Sequence, residues 1–439
     1  MLLLLVACQE VKEIPVETEK TETYPQFYGE VPKNILIVSI DTTRRDLFQR
    51  YGSTEDDMPF FDRIAAEGVP ADQHRSCSNW TMPSMQCIVS GKTNVDVGFS
   101  PDLRDGDKAI APPMNTLAER LQGRWSTHLV TSNSWFSAEH GLADGFDTID
   151  SPSANGTVGC FQTGTERVQE ALANGADRWL LHLHVKEPHS AYNPPEEYVA
   201  DELADLPPAP WDWDLTNHDD HYDAKAAYDG LPADEQALLR QYLWVLYRGE
   251  VRYMNDNFEE AFAAFDAAGL LDDTLVVFVN DHGEQFWEHE EQTHAYGLNL
   301  EENDGFMVFW SKKMIPRAWD GPTSHVDLVP TILAVHGEPV TGDISGYPMG
   351  TAPDDVPLDS IAVARSGVVQ SVVQSDWKLV YEWSTGQKML YDLANDPLEQ
   401  TNLYASDEPH ALALWSVLQP LVDRATVFLP TYTPVAPGP

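Results

Sequence analysis

Two short apolar runs end in side chains that could bind a metal. Residues 35–40 lead into Asp41, and residues 275–279 lead into Asp281 and His282. Both runs are continuous and rich in β-branched residues, which is typical of strands buried on both faces of a parallel sheet. Ligands bind such sheets beyond the carboxyl ends of the strands. We therefore expect Asp41, Asp281 and His282 to meet there and to hold a divalent cation, which carboxylate oxygens and an imidazole suit.

Strand-like runs alternate with helical patterns along the chain, and this alternation is typical of an α/β fold. The runs predicted to be strands of one sheet are residues 35–40, 126–131, 179–185, 275–279 and 306–310. The patterns predicted to be helices are residues 58–67, 115–121 and 251–268. We expect a large, mostly parallel sheet sandwiched by helices, and we assign it to residues 31–345.

The C-terminal part of the chain has a different pattern. Beyond a linker rich in Gly, Pro and Asp, a small antiparallel sheet is predicted, with strands at residues 368–373, 378–383 and 388–391. A helix is predicted over residues 409–425, and we expect residues 346–439 to form a separate small subdomain. Residues 198–230 combine Trp, His, Asp and Pro with weak periodicity, which predicts a surface insertion over the mouth of the site.

The first residues indicate export. The chain begins Met-Leu-Leu-Leu-Leu-Val-Ala-Cys, an apolar run too short to span a membrane but typical of the end of a secretory signal. It resembles a bacterial lipoprotein signal, in which Cys8 would become a lipid-bearing N-terminus. We expect residues 1–30 to be this signal and a tether rich in Glu, Thr and Pro. The protein would then be periplasmic or on the cell surface, with the lipid at Cys8 as its only membrane contact.

Three further cysteines, Cys77, Cys87 and Cys160, lack the CxxC spacing of a zinc knuckle. One disulfide would suit an exported protein but would leave one cysteine over, so buried free thiols are expected.

The charge balance excludes some classes of binding partner and substrate. Seventy Asp and Glu residues against 27 Lys and Arg give a formal net charge of −43. A protein without a basic surface cannot displace counterions from nucleic acid, so no nucleic-acid partner is expected. The same field would repel long polyanionic substrates.

Several motifs, taken in order, resemble the sulfatase family of the alkaline phosphatase superfamily. They lie at residues 34–46, 80–84, 145–147, 187–192, 281–284, His294 with 301–302, 325–331, 377–379, 390–392 and 396–399. The resemblance covers nearly all of the chain after the tether. It implies a hydrolase that uses one divalent cation (Ca²⁺, Mn²⁺ or Mg²⁺) and acts on a small anionic ester.

The resemblance also implies roles for single residues. Thr81 stands at the position of the family's nucleophile, at the start of a helical segment whose N-terminus would favour an anionic transition state. His189 resembles the histidine that binds substrate and protonates the leaving group. His294 resembles a basic contact to the substrate oxygens, and Asn133 lies where the family keeps another substrate-binding pair.

The chain departs from the family at the nucleophile. Active sulfatases carry Cys or Ser there, converted to formylglycine, whereas Thr81 cannot be converted and Met85 replaces the motif's Arg. Thr42 replaces a second metal-binding Asp. A formylglycine hydrate expels sulfate by collapsing to the aldehyde, but a sulfated threonine must be attacked again at sulfur. The residue set is similar to the single-metal site of phosphoglycerol transferases, and this favours a phosphate-type ester.

The sequence thus predicts a metal-dependent hydrolase that cleaves a sulfate or phosphate ester through Thr81. One alternative is transfer of a phosphoglycerol or phosphoethanolamine group to an acceptor. Another is an inactive binding module on the cell surface, suggested by the missing formylglycine residue. At the residue level, Asp41 and Thr81 could instead cap helices. Arg44 and Asp46 are expected to form a supporting ion pair.

Overall fold

The computed structural model describes residues 24–98, 114–136, 140–152, 156–353, 355–364, 367–429, 432, 434 and 435. The strands in this part are β1 Asn34–Ile40, β2 Val69–Arg75, β3 Ser126–Thr131, β4 Thr148–Asp150, β5 Trp179–Val185, β6 Thr274–Asn280, β7 Gln285–Phe286, β8 Gln292–Thr293, β9 Met307–Trp310, β10 Trp319–Ser324, β11 Leu358–Ala364, β12 Gly367–Gln374, β13 Trp377–Glu382 and β14 Lys388–Asp392. The helices are α1 Pro59–Glu67, α2 Thr81–Ser90, α3 Asn94–Val97, α4 Leu117–Leu121, α5 Gly156–Ala173, α6 Ala200–Asp205, α7 His218–Ala227, α8 Ala233–Ala267, α9 Leu300–Asn303, α10 Leu328–Val335 and α11 Pro409–Phe428.

Eight strands form one sheet in the order β10-β2-β9-β6-β1-β5-β3-β4. β9 runs antiparallel to both of its neighbours, and the other adjacent pairs are parallel. This confirms the predicted large, mostly parallel sheet. The prediction missed β2 and β10, because both are polar and contain proline. Together they form one side of the sheet beyond β9, where an alternating apolar pattern is not required.

Side chains from β1 alternate between two apolar cores, one on each face of the sheet. Ile35 and Ile37 belong to one core, with residues of α2, α4 and α10. Leu36, Val38 and Ile40 belong to the other, with residues of α1, α5 and α8. Because both faces are covered, β1 and β6 are mostly apolar, and polar residues follow at their carboxyl ends.

The small sheet has the order β11-β12-β13-β14 and is antiparallel throughout, as predicted. Its apolar face shares a core with α11 and with the α2 side of the large sheet. The boundary at residue 345 stays a prediction. Tyr24 is buried, and its ring lies 5.0 Å from the ring of Trp319 at a tilted angle, so the described end of the predicted tether packs on the large domain. In the described part of the chain, no helix is long and apolar enough to cross a membrane.

The predicted helix 251–268 is the C-terminal half of α8, which extends over 35 residues. The prediction began too late because Gly249 interrupts the helical pattern. A Cβ at Gly249 would lie 2.3 Å from Val199 Cγ1 and 2.9 Å from Pro194 Cγ. Glycine is therefore required where the chain that leaves β5 crosses this helix closely.

The predicted insertion folds into α6, α7 and short 3₁₀ turns. Tyr222 of α7 lines the same cavity as Asp41, so the insertion does lie at the mouth of the site. Lys225 donates to Gln292 O and to Thr293 Oγ1, which ties α7 to the β7–β8 hairpin.

Candidate active site and cation centre

The carboxyl ends of neighbouring strands bring the predicted metal-binding side chains together. Asp41 follows β1 and Asp281 follows β6, and the N–H of Asp281 donates to Ile40 O at 3.1 Å. His282 Nε2 lies 3.4 Å from Asp41 Oδ1 and 3.6 Å from Asp281 Oδ2. All three side chains are fully buried. Residues that are 240 positions apart in sequence therefore share one small polar volume.

Hydrogen bonds orient these three side chains toward one point. Asp281 Oδ1 accepts the backbone N–H groups of Thr42 at 3.2 Å and His282 at 2.8 Å. His282 Nδ1 donates to Gly283 O at 2.9 Å, which turns Nε2 toward the two carboxylates. Asp281 Oδ2, His282 Nε2 and both oxygens of Asp41 are buried and have no hydrogen-bond partner among the described residues. Buried acceptors without donors fit a bound cation, so the donor set suits the implied metal.

The electrostatics agree with this conclusion. Burial and the neighbouring Asp41 carboxylate raise the pKa of Asp281 to about 8. Burial alone would also raise the pKa of Asp41, but His189 and His282 lower it below its usual range. Two carboxylates that repel each other in a buried site are stabilised by a positive charge between them.

A further histidine belongs to this cluster and was not predicted. Ligand atoms of Asp41, His184 and Asp281 all lie within 4.8 Å of one another. His184 is on β5 beside β1, with Nε2 3.8 Å from Asp41 Oδ2. The sequence did contain a signal: His182 and His184 are two residues apart in an otherwise apolar strand and therefore point to the same face.

Thr81 begins α2 and faces a cavity of about 630 Å³. Asp41, Asn133, His189 and His294 line the same cavity, so the structure brings all the predicted catalytic and substrate-binding residues together. The N-cap of α2 is Trp80, and Thr81 is the first helical residue. The alternative that Thr81 is a helix cap is therefore wrong. Its hydroxyl lies at the positive end of the α2 dipole.

His189 and His294 lie side by side, with ring centroids 5.1 Å apart. His189 Nδ1 donates to Ser190 O at 2.7 Å, which leaves Nε2 for another partner. His294 Nδ1 lies 3.0 Å from Glu284 Oε1, and this carboxylate is fully buried. A carboxylate on one ring nitrogen fixes the tautomer and makes the other nitrogen a better base.

Asn133 is positioned by its own loop, which follows β3. Its backbone N–H donates to Thr131 Oγ1 at 3.0 Å, and its Oδ1 accepts the N–H of Trp135 at 3.0 Å. The Nδ2 group is thereby turned toward His184 Nε2, at 3.3 Å. Trp135 packs edge-on against Trp80 at 5.5 Å, and the two indoles form an aromatic wall of the cavity.

Cys77 and Cys87 form a disulfide, and Cys160 is a buried free thiol. The expectation of free thiols is therefore wrong for the first two cysteines. Cys77 precedes α2 and Cys87 lies two turns into it, so the incoming segment runs back along the helix. The disulfide joins this segment to the helix that begins at Thr81.

Glu302 holds the segment of His294 against the segment before α2. Its Oε2 accepts the N–H groups of Ala295 at 2.8 Å and Tyr296 at 3.2 Å, and Asn79 Nδ2 at 2.8 Å. Its Oε1 accepts the N–H of Gly297 at 3.2 Å and Gln285 Nε2. This buried carboxylate thus joins the two chain segments that carry Thr81 and His294. In the sequence, only its place in the motif at residues 301–302 indicated that Glu302 belongs to the site.

The predicted ion pair of Arg44 and Asp46 is confirmed. Arg44 Nε and Nη2 donate to the two oxygens of Asp46 at 2.9 and 2.6 Å. Arg44 Nη1 also donates to Glu288 Oε1 at 2.6 Å and to Glu284 O at 3.2 Å. Arg44 is the N-cap of the short 3₁₀ turn after β1, so Asp41 is not a helix cap.

Comparison with known proteins agrees with this geometry. Residues 33–338 match the family model described as Sulfatase. The uncharacterized sulfatase YidJ of Escherichia coli (strain K12) is 26% identical over 437 residues, which covers 84% of this chain and 82% of that protein. The choline-sulfatase of Rhizobium meliloti (strain 1021) is 27% identical over 168 residues, or 36% of this chain. The match to that enzyme spans 32% of its length.

Solved structures share the fold. A protein in complex with its substrate D-glucosamine-2-N,6-O-disulfate superposes with a TM-score of 0.71 at 17% identity, covering 90% of this chain and 98% of that one. The phosphonate monoester hydrolase SpPMH from Silicibacter pomeroyi superposes with a TM-score of 0.64 at 18% identity, covering 90% and 96%.

Proposed function

Because this chain belongs to the sulfatase family, we propose that it hydrolyses a small anionic ester of phosphoric or sulfuric acid through Thr81, with phosphate-type esters preferred. The observation that carries the proposal is the shared cavity of Thr81, Asp41, His189 and His294 at the N-terminus of α2. A hydroxyl, two imidazoles and a buried anionic cluster on one cavity are the groups that such a reaction requires.

The chemistry of threonine supports the preference for phosphate. Thr81 cannot become formylglycine, so release of the product requires a second attack at the central atom. A phosphothreonine is a more manageable intermediate in this respect than a sulfated threonine. The donor set supports a single cation held by Asp41, Asp281 and His282. When bound, such a cation would neutralise the negative charge of the ester oxygens and activate a nearby hydroxyl as a nucleophile.

The residues of the chain carry the proton transfers in this proposal. Thr81 Oγ bonds to phosphorus while its proton passes to His294, whose other nitrogen is held by Glu284. The bond from phosphorus to the leaving oxygen breaks, and His189 gives that oxygen a proton. Water then attacks the phosphothreonine, His189 takes a proton from the water, and His294 returns one to Thr81 as the P–Oγ bond breaks. Both histidines end in their initial protonation states.

We further propose that the protein works outside the cytoplasm. The disulfide between Cys77 and Cys87 supports this, because disulfides persist in oxidising compartments. The proposed lipid site, Cys8, lies outside the described residues.

The proposal is tested with purified protein supplied with Mn²⁺ or Ca²⁺. Initial rates are measured on 4-nitrophenyl phosphate, bis(4-nitrophenyl) phosphate and 4-nitrophenyl sulfate. We expect Thr81→Ala to abolish turnover and Thr81→Ser to retain part of it, because serine keeps the hydroxyl. The matched control is Thr401→Ala, an exposed threonine far along the chain. Mass spectrometry of rapidly quenched reactions should show a phosphoryl group on the peptide that contains Thr81.

Each other outcome points to a different function. Faster ester loss with glycerol or ethanolamine, together with an adduct of the acceptor, would indicate a transferase. Equal inertness of wild type and Thr81→Ala on all three esters, without bound metal, would indicate a binding module. Preference for the sulfate ester would overturn the assignment of phosphate chemistry.

A further inference from the structure

We infer that His184 is a fourth protein ligand of the cation, and that the centre therefore takes a first-row transition ion rather than Ca²⁺ or Mg²⁺. This inference deepens the proposed function and rests on the same cation site. It adds a ligand on a third strand, β5, to the three that the sequence motifs indicated.

The position of His184 supports this inference. His184 Nε2 lies 3.8 Å from Asp41 Oδ2, and its side chain is completely buried. Residue 184 pairs with Ser39 of β1 in the parallel register, two positions before Asp41. Its ring is therefore next to the end of β1, where both Asp41 oxygens have no hydrogen-bond partner among the described residues. The ring therefore lies beside buried acceptors that a shared cation would satisfy.

The tautomer of His184 supports the inference as well. Asn133 Oδ1 accepts the N–H of Trp135, which fixes the amide so that Nδ2 faces His184 Nε2 at 3.3 Å. An amide N–H can face this nitrogen only if the nitrogen is an acceptor, so Nε2 carries the lone pair. His184 Nδ1 then carries the proton and donates to Ser39 Oγ at 2.9 Å. The ring thus has the arrangement of a metal-binding histidine: one nitrogen donates to an outer partner, and the lone pair of the other faces the site.

His182 completes the outer support. Its Nε2 lies 3.0 Å from Ser39 Oγ, on the same face of β5 as His184. The serine hydroxyl has only one proton, and it can give this proton to His182 while it accepts from His184. The chain His182–Ser39–His184 therefore holds one orientation of the His184 ring, as the bond to Gly283 O does for His282.

The class of ion follows from the donor set. Asp41, Asp281 and His282 alone would offer two carboxylates and one imidazole, which suits several divalent ions. A second imidazole shifts the preference, because Ca²⁺ and Mg²⁺ favour oxygen ligands, whereas Mn²⁺, Fe²⁺, Co²⁺ and Zn²⁺ accept nitrogen readily. With His184 Nε2 bound to a cation, the Asn133 amide would no longer donate to it and would be available to a substrate in the cavity.

The direct test counts coordinated nitrogens and does not depend on activity. Full-length protein loaded with Mn²⁺ is measured by pulsed electron paramagnetic resonance, and we expect couplings to two imidazole nitrogens. His184→Ala should leave one nitrogen. It should also weaken Mn²⁺ binding, measured by calorimetry, by at least the roughly 10- to 100-fold that loss of an outer-shell partner costs. His128→Ala is the matched control, because His128 is a mostly buried strand histidine bonded to Ser126 and Thr148 instead.

A competition experiment tests the class of ion. The metal-free protein is dialysed against equal concentrations of Ca²⁺, Mg²⁺, Mn²⁺ and Zn²⁺, and the bound metal is measured by mass spectrometry. Retention of Mn²⁺ or Zn²⁺ supports the inference, and retention of Ca²⁺ or Mg²⁺ overturns it. One coordinated nitrogen in the wild type also overturns it, and this result needs no variant that might misfold. A protein that hydrolyses the esters but shows one coordinated imidazole nitrogen would refute only the role of His184. A protein that is inert but shows two coordinated imidazole nitrogens would refute only the proposed function.

Discussion

His189 has one ring nitrogen bound to the backbone and lines the cavity beside Thr81. If His189 protonates the leaving oxygen, replacing it should lower kcat most for esters whose leaving oxygen is strongly basic. We expect His189→Gln to lower kcat by roughly 100-fold or more on an alkyl phosphate, within the usual range for general acid catalysis. On 4-nitrophenyl phosphate, whose leaving group needs no proton, the loss should be below roughly tenfold. Steady-state kinetics on the two esters give the comparison.

His410→Gln serves as the control for this experiment, since His410 stacks on Trp377 in the C-terminal subdomain. An equal loss of kcat on both esters would assign His189 to substrate binding and not to proton transfer.

At this scale the sequence predicted much of the site, and the reason is the strand-end rule. Asp41 and Asp281 follow continuous apolar runs, so their convergence could be deduced. His184 could not be assigned in the same way, because it lies inside a strand and becomes a candidate ligand only once β5 is paired with β1. The disulfide was missed for a similar reason: whether Cys77 meets Cys87 depends on how the chain enters α2.

Among the elements, the turn between β10 and α10 is hydrogen-bonded to the end of the central strand β6. His325 in this turn donates from Nε2 to Asn280 O at 2.9 Å and accepts the N–H of Cys77 at Nδ1, at 3.3 Å. It therefore connects β6, the segment before α2 and its own turn through a neutral ring. Burial lowers the pKa of His325 to about 3, although its hydrogen bond to Asn280 opposes the shift.

This pKa predicts how stability depends on pH. The unfolded chain takes up a proton at His325 as the pH falls through about 6.5, whereas the folded protein does so only near 3. The contribution of His325 is therefore complete above pH 6.5 and is lost as the pH falls toward 3. Between pH 6.5 and 5 the expected loss is about 2 kcal/mol in the free energy of unfolding.

The matched variant is His325→Gln, whose amide can accept from Cys77 and donate to Asn280 without titrating. Urea unfolding at several pH values, with a chelator present, should show a shallower pH dependence for the variant than for the wild type. His410→Gln should retain the full dependence. Identical slopes for wild type and His325→Gln would show that this ring does not stay neutral in the folded protein.

Three departures from the prediction, at β2, β10 and the start of α8, have a physical cause. β2 and β10 are polar strands paired mainly with each other, so neither shows the apolar run that identified the central strands. The start of α8 was obscured by Gly249, whose packing role is visible only in the folded protein. Local pattern therefore predicted the central strands, and it failed at these elements, where long-range contacts determine the choice of residue.

At the scale of the whole molecule, a buried ion pair in the C-terminal subdomain includes Glu399, whose carbonyl contacts the segment that follows His282. Lys378 of β13 lies 2.7 Å from Glu399, and both side chains are almost completely buried. The carbonyl of Glu399 lies 3.2 Å from His289 Nε2, and His289 Nδ1 lies 2.9 Å from Glu301 Oε2. Burial would lower the pKa of His289, but Glu301 raises it above the usual value. His289 lies between β7 and β8, so the chain of contacts ends in the segment that follows His282.

Replacing one member of this ion pair should lower the free energy of unfolding more than replacing both. Lys378→Met leaves the Glu399 carboxylate buried without its cation, and we expect it to lower the free energy of unfolding by about 3–5 kcal/mol. The double variant Lys378→Met with Glu399→Gln leaves no unpaired charge and should recover most of that loss. Urea unfolding of the three proteins measures the difference. The control is Lys33→Met, whose pair with Asp177 is exposed and should be worth less than about 1 kcal/mol. If the double variant is as unstable as Lys378→Met, the penalty comes from packing of the lysine stem and not from the charge of Glu399.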